Sequence, residues 1–163
     1  MNSADAPVAR KRLVEVIGDS VVLANALIEA LGSERGALET QDMDALEDIL
    51  GQKSQCVESL SRLERQRNDI CANAGFVGGD DQMDRMIEWC DENHAVADAW
   101  RQLVQLAIEC NRRNISNGSI IRARKQQIET AMAVVRGGSM NSDTYSRQGA
   151  DPGVNNLRSI VEA

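Results

Sequence analysis

The chain has 163 residues, a net charge of -7 and an aromatic content of 2%. That length suits one domain with a core of its own, and the acidic balance argues against general binding to nucleic acid or to an anionic membrane. Both prolines, Pro7 and Pro152, lie near the ends, and the apolar residues are mostly Leu, Ile, Val and Ala in long Pro-free segments. This composition predicts an all-α fold and argues against a β-sandwich or barrel.

In chain order, residues 1–8 read as a frayed N-terminus without a basic n-region or apolar h-region, and a helical bundle domain spans 9–136. The first helix starts near Ala9 and carries Leu13, Ile17, Val21, Ala24, Ile28, Leu31 and Leu38 on one stripe. Gly32 and Gly36 weaken its end. Thr40-Gln-Asp42 is a break, with Asp42 as N-cap and Asp44 where the helix dipole favours an acid. The second helix carries Leu46, Leu50, Val57, Leu60, Leu63 and Ile70. The short break between the two predicts an antiparallel hairpin.

Ala74-Gly-Phe-Val-Gly-Gly79 ends the second helix, and Asp80 or Asp81 caps a short third helix holding Met83, Met86, Ile87 and Cys90. The polar run Asp91-Glu-Asn-His94 marks a break. The last long helix runs from about His94 to Arg136. Within it, Asn111-Arg-Arg-Asn-Ile-Ser-Asn-Gly118 has the local look of a helix–helix turn. Yet Trp100, Leu103, Ala107 and Cys110 before it, and Ile121, Ile128, Ala131 and Val135 after it, keep one helical phase, with Asn114 and Asn117 on the same line. The retained phase favours one continuous helix with two Asn on its apolar stripe. A buried Asn needs a partner for its amide and can fix register.

The last helix is longer than its partners. Its end, with Ile128, Met132 and Val135, either overhangs the bundle as an uncovered apolar stripe or is covered by the short helix or the tail. Residues 137–163 are rich in Gly, Ser, Asn and Asp and read as a disordered, flexible tail with two docking candidates. One surrounds Tyr145 and Gly149; the other begins at Asp151-Pro152 and carries Val154, Leu157, Ile160 and Val161. The architecture expected is therefore an antiparallel helical bundle of three long helices plus one short helix, followed by a disordered C-terminal tail.

Charge is uneven. Six acids (Glu34, Glu39, Asp42, Asp44, Glu47, Asp48) and one base lie between residues 34 and 48, and six bases and one acid between 112 and 136. Pairing of these two tracts inside the molecule is the expectation, with a partner site as the alternative.

The chemistry of an enzyme is missing from the sequence. There is no phosphate-binding Gly-Lys loop and no dinucleotide fingerprint. One histidine, His94, cannot complete a bundle metal site, so no metal, cofactor or catalytic residue is assigned. Cys56, Cys71, Cys90 and Cys110 form no Cys-x-x-Cys pair and read as buried thiols. No apolar run is long enough to span a bilayer, which predicts a soluble, cytoplasmic protein without stable membrane insertion.

Three features together resemble the FlgN family, cytoplasmic export chaperones of the bacterial flagellum. They are the turn Thr40-Gln-Asp-Met-Asp-Ala-Leu46 with Lys53 and Arg67 beyond it, the pattern Asn111-x-x-Asn114-x-x-Asn117-Gly118-x-x-Ile121, and Tyr145 with Gly149 after the last helix. In the family pattern Gly follows Tyr directly, whereas here Ser146 does. The resemblance implies binding to the C-terminal helices of the hook-filament junction proteins, prevention of their premature assembly, and delivery to the type III export gate. Cargo binding is then expected at Asn114, Asn117, Gly118, Ile121, Ile128, Met132 and Val135, with export-gate docking at Tyr145 and Gly149. For the two Asn, a packed polar layer inside the bundle is the alternative. Alternative functions are a self-associating structural helical bundle and a regulatory adaptor that sequesters a transcription factor.

Overall fold

A computed structural model describes residues 5–136. They form four helices: α1 (Ala6–Thr40), α2 (Met43–Asn73), α3 (Gln82–Cys90) and α4 (Ala95–Val135). Among the described residues there is no strand. The expected three long helices and one short one are therefore present.

α1 starts three residues earlier than its apolar pattern suggests. Pro7 lies in its first turn, where a missing N–H costs no helical hydrogen bond. The helix also runs through Gly32 and Gly36, because Leu31, Ala37 and Leu38 are buried and packing outweighs weak propensity. It stops at Gln41, which adopts a left-handed conformation with φ of 62°. Asp42 then caps α2, its Oδ1 accepting the Ala45 N–H at 3.0 Å.

α1 is the central helix: α2 and α4 both pack along it, and with each other they meet through side chains and not through close backbone approach. α2 returns antiparallel to α1. α4 runs parallel to α1, since cross-contacts such as Cys110 to Ala24 and Asn117 to Leu31 keep a sequence separation of 86. The main core lies at the end where α3 sits. There Leu13 and Ile17 of α1 meet Ile70, Cys71, Phe76, Met86, Cys90 and Val96. A smaller cluster of Leu27, Leu31 and Cys110 sits further along. Leu27, absent from the predicted stripe, is buried, while Val21 and Ile28 are half-buried.

The expected break before α4 is built around Asp91 and His94. Asp91 Oδ2 accepts the Ala97 N–H at 2.8 Å, which satisfies one free donor of the new helix. His94 has φ of 61°. α4 is then continuous through Asn111, Asn114, Asn117 and Gly118, as the preserved phase indicates.

Removing the cap at the hairpin turn gives the first test. Asp42→Ala should lower stability by about 1 kcal/mol, read from the urea midpoint, with helix content retained.

Candidate functional site

The site is built from two parts of α4. One is a polar layer that seats the helix on the bundle. The other is the stretch beyond that layer, where α1 has ended.

The layer contains four side chains from three helices. Glu34 and Asn117 are each only 2% exposed. Asn117 Nδ2 donates to Glu34 Oε2 at 2.7 Å and to the Leu31 carbonyl at 2.8 Å. Lys53 Nζ of α2 donates to Glu34 Oε1 at 3.0 Å and to Asn114 Oδ1 at 3.1 Å. Both oxygens of the buried carboxylate are therefore partnered, one by a charge and one by an amide. A buried polar set of this kind is tolerable because each member is satisfied. Asn114 and Asn117 thus have the arrangement of a packed polar layer.

Arginines reinforce the same seam. Arg35 Nη1 donates to Ser116 Oγ at 3.4 Å, and Arg113 Nη1 donates to the Ile28 carbonyl at 3.4 Å. A Cβ at Gly32 would stand 3.5 Å from Arg113 Nη1, an ordinary contact, so the seam does not require a glycine there. At Gly118, among the described residues, an added Cβ would meet the side chain of Arg122 and no other helix, so this glycine does not mark a close approach between helices.

Glu109 accepts from Arg112 and Arg113, and these hydrogen bonds hold its carboxyl down at about 2, against an ordinary 4.5. A depressed folded-state value means that its contribution to stability is present above the ordinary value and is lost as the pH falls towards 2. Cys71, Cys90 and Cys110 are buried as expected, whereas Cys56 is half-buried; burial pushes Cys110 up to about 11 and also raises Cys71 and Cys90.

Past the polar layer the surroundings of α4 change. Arg124 Nη2 donates to the Glu39 carbonyl at 3.2 Å, level with the last turn of α1. Residues 125–135 continue about 16 Å further, at about 1.5 Å per residue. Ile121, Ile128, Met132 and Val135 are 47%, 60%, 46% and 86% exposed. Spacings of seven, four and three put all four on one helical face. Among the described residues nothing covers that face, and α3 packs on α1 and α2 instead. Tyr145 and Gly149 lie outside the described residues.

The expected pairing of the acidic and basic tracts is not what the structure shows. Among the described residues no ion pair joins them. Arg112 and Arg113 pair with Glu109, Lys125 with Glu129, Arg35 with Glu39, and Glu34 with Lys53. Most of these are neighbours one turn apart, a geometry a helix provides without tertiary help.

A second concave feature lies between α2 and α4, where their separation leaves α1 as a floor. It is an apolar cavity of about 130 Å³ bordered by Ala24, Leu27, Leu60, Trp100, Leu103 and Ala107. Ser20 and Ala24 of α1 and Ala107 of α4 are among the small residues that line it. Arg67 lies at its edge, with its guanidinium carbon 4.8 Å from the centre of the Trp100 ring. Burial lowers the Arg67 pKa, with Glu64 and Cys71 opposing the shift.

Residues 1–153 match the FlgN protein family. The chain belongs to the FlgN family. No curated protein and no solved structure matches it. Membership carries a chaperone role in flagellar export, and FlgN family proteins are not enzymes. Among the described residues no group of three or more His, Cys, Asp or Glu is placed to hold a metal ion, and no helix is long and apolar enough to cross a membrane.

Glu34 and Lys53 are the site residues that reading single helices misses. Glu34 was visible only as part of an acidic tract. It nevertheless lies three residues after Leu31 and four before Leu38, and Lys53 lies four before Val57. Opposite charges on two apolar stripes, with two Asn on a third, are the signal.

This layer gives a graded prediction. Lys53→Met leaves the Glu34 carboxylate buried without its cation and should cost about 3–5 kcal/mol in urea unfolding. Adding Glu34→Gln to Lys53→Met should recover part of that loss, because no lone charge remains.

Proposed function

We propose that this FlgN family member is a cytoplasmic export chaperone that binds the C-terminal helices of the hook-filament junction proteins. It keeps them from assembling early and passes them to the flagellar export gate. The observation that carries this reading is the exposed stripe that starts at Ile121, beside the last turns of α1, and continues past its end with Ile128, Met132 and Val135. Such a stripe is half of a helix pair and offers an amphipathic cargo helix the partner it otherwise meets in the filament. Burying one such aliphatic side chain contributes about 1.5–3 kcal/mol, so four of them support reversible binding without any nucleotide.

In this reading Asn114, Asn117 and Gly118 shape the cargo surface from below. Asn117 seats α4 on α1 and Asn114 ties it to Lys53 of α2, and that seating sets how far the helix projects. Tyr145 and Gly149 serve as the docking motif for the gate, and competition there releases the cargo. FlgN family membership supports the chaperone role in export. The exposed stripe supports the helical nature of the cargo.

The test is a binding titration of the full chain against the C-terminal segment of a hook-filament junction protein. Ile128→Asp and Val135→Asp should each weaken binding at least tenfold while helix content and unfolding midpoint stay unchanged. Unchanged affinity in folded variants would remove the stripe from the cargo site.

A further inference from the structure

Two exposed apolar surfaces lie at the same end of the molecule, and they carry opposite charges. The first is the projecting stripe of α4. At about 100° per residue, Arg122 and Lys125 flank one edge of it, with the exposed Glu129 between them, and Arg124 the other, so the edges are basic on balance. The second is the beginning of α2, where Met43 and Leu50 are exposed seven residues apart and share a face. Asp44, Glu47 and Asp48 are exposed around them.

Within one molecule these surfaces do not satisfy each other. Among the described residues, Arg122, Asp44, Glu47 and Asp48 take part in no ion pair, and Lys125 reaches only Glu129 at 3.8 Å. The reason is directional. α4 continues past the hairpin turn, while α2 heads back from it, so the basic stripe overlooks the empty extension of α1.

A second copy approaching end to end places its own hairpin turn in that empty space. A twofold axis then makes the arrangement reciprocal, with each α4 stripe lying on the start of the other copy's α2. The apolar faces meet, and the basic edges meet the acids. We propose that the open end of the bundle is a self-association surface, and that without cargo it is closed by the same end of a second copy. The interaction joins Ile121, Ile128, Met132 and Val135, with Arg122 and Lys125, to Met43 and Leu50, with Asp44 and Glu47. If the stripe also receives cargo, a step that rests on the chaperone reading, the pair is a resting state that cargo takes apart.

The experiment is sedimentation equilibrium on the full chain without cargo, at low and high salt. The unmodified chain should form a dimer that added salt weakens. Arg122→Glu/Lys125→Glu should weaken association at least tenfold, and so should Asp44→Lys/Glu47→Lys. Mixing those two variants should restore a dimer, because each stripe again faces the opposite charge. All four substitutions in one chain should restore the homodimer. All these positions are exposed, and Arg122→Gln/Lys125→Gln gives the same reading with a smaller loss if a reversal disturbs folding. A monomer at every concentration would overturn the proposal, as would a dimer indifferent to the reversals or a mixture that does not recover. A chain ending at Gly138 that dimerises when the full chain does not would make the segment beyond Arg136 the occupant, and would also overturn it. Because cargo is absent, the outcome is independent of the chaperone reading. A dimer without cargo affinity defeats that reading alone, and cargo binding by a constitutive monomer defeats this proposal alone.

Discussion

A carboxylate buried on a helix must find a cation and hydrogen-bond donors, or it does not stay buried. Glu34 finds both: Lys53 from α2 on one oxygen and Asn117 from α4 on the other. Asn114 closes the set by accepting from Lys53. The rest of the structure depends on this layer because apolar stripes alone slide. Leu against Ile is nearly as good one turn away, whereas Glu34 against Asn117 is not. The layer therefore fixes how far α2 and α4 lie along α1.

That register has a consequence at the far end. α1 ends at Thr40, close above Glu34, whereas α4 passes the layer at Asn117 and continues to Val135. Contacts along the α1–α4 seam, from Cys110 with Ala24 to Arg124 with Glu39, hold one offset. One face of α4 is thus packed against the bundle over its first part and uncovered over its last. A chaperone for helical cargo needs such an incomplete core, because a surface that completes itself has nothing to offer a partner. Stability comes from the opposite end, where Leu13, Ile17, Met86 and Val96 are fully buried. The molecule separates a packed end from a receptive one.

Most of the fold was legible in the sequence because it rests on periodicity. The phase carried from Trp100 through Asn114 and Asn117 to Ile121 indicated one helix where Asn-Gly alone suggests a turn, and α4 is continuous there. Asp42 as a cap followed from local chemistry. Helix ends were less legible. α1 begins at Ala6 because a proline in the first turn is harmless, and a pattern of apolar residues carries no record of that. Pairing between charge tracts was not legible at all. Sequence shows that residues 34–48 are acidic and 112–136 basic, but not that one turn of helix already supplies Arg112 and Arg113 with Glu109. Glu34 was hidden for a related reason. Its neighbours mark it as surface charge, and only the meeting of three helices turns it into the centre of the layer.

In the proposed role, cargo takes the face of α4 that the end of α1 leaves open. The most direct measurement is amide hydrogen exchange across the full chain, with and without the C-terminal segment of a hook-filament junction protein. New protection is expected to concentrate in residues 121–135, with little change around Leu13, Ile17 and Met86. Protection confined to the α2–α4 cavity around Leu60, Trp100 and Ala107, with residues 121–135 exchanging as before, would contradict it.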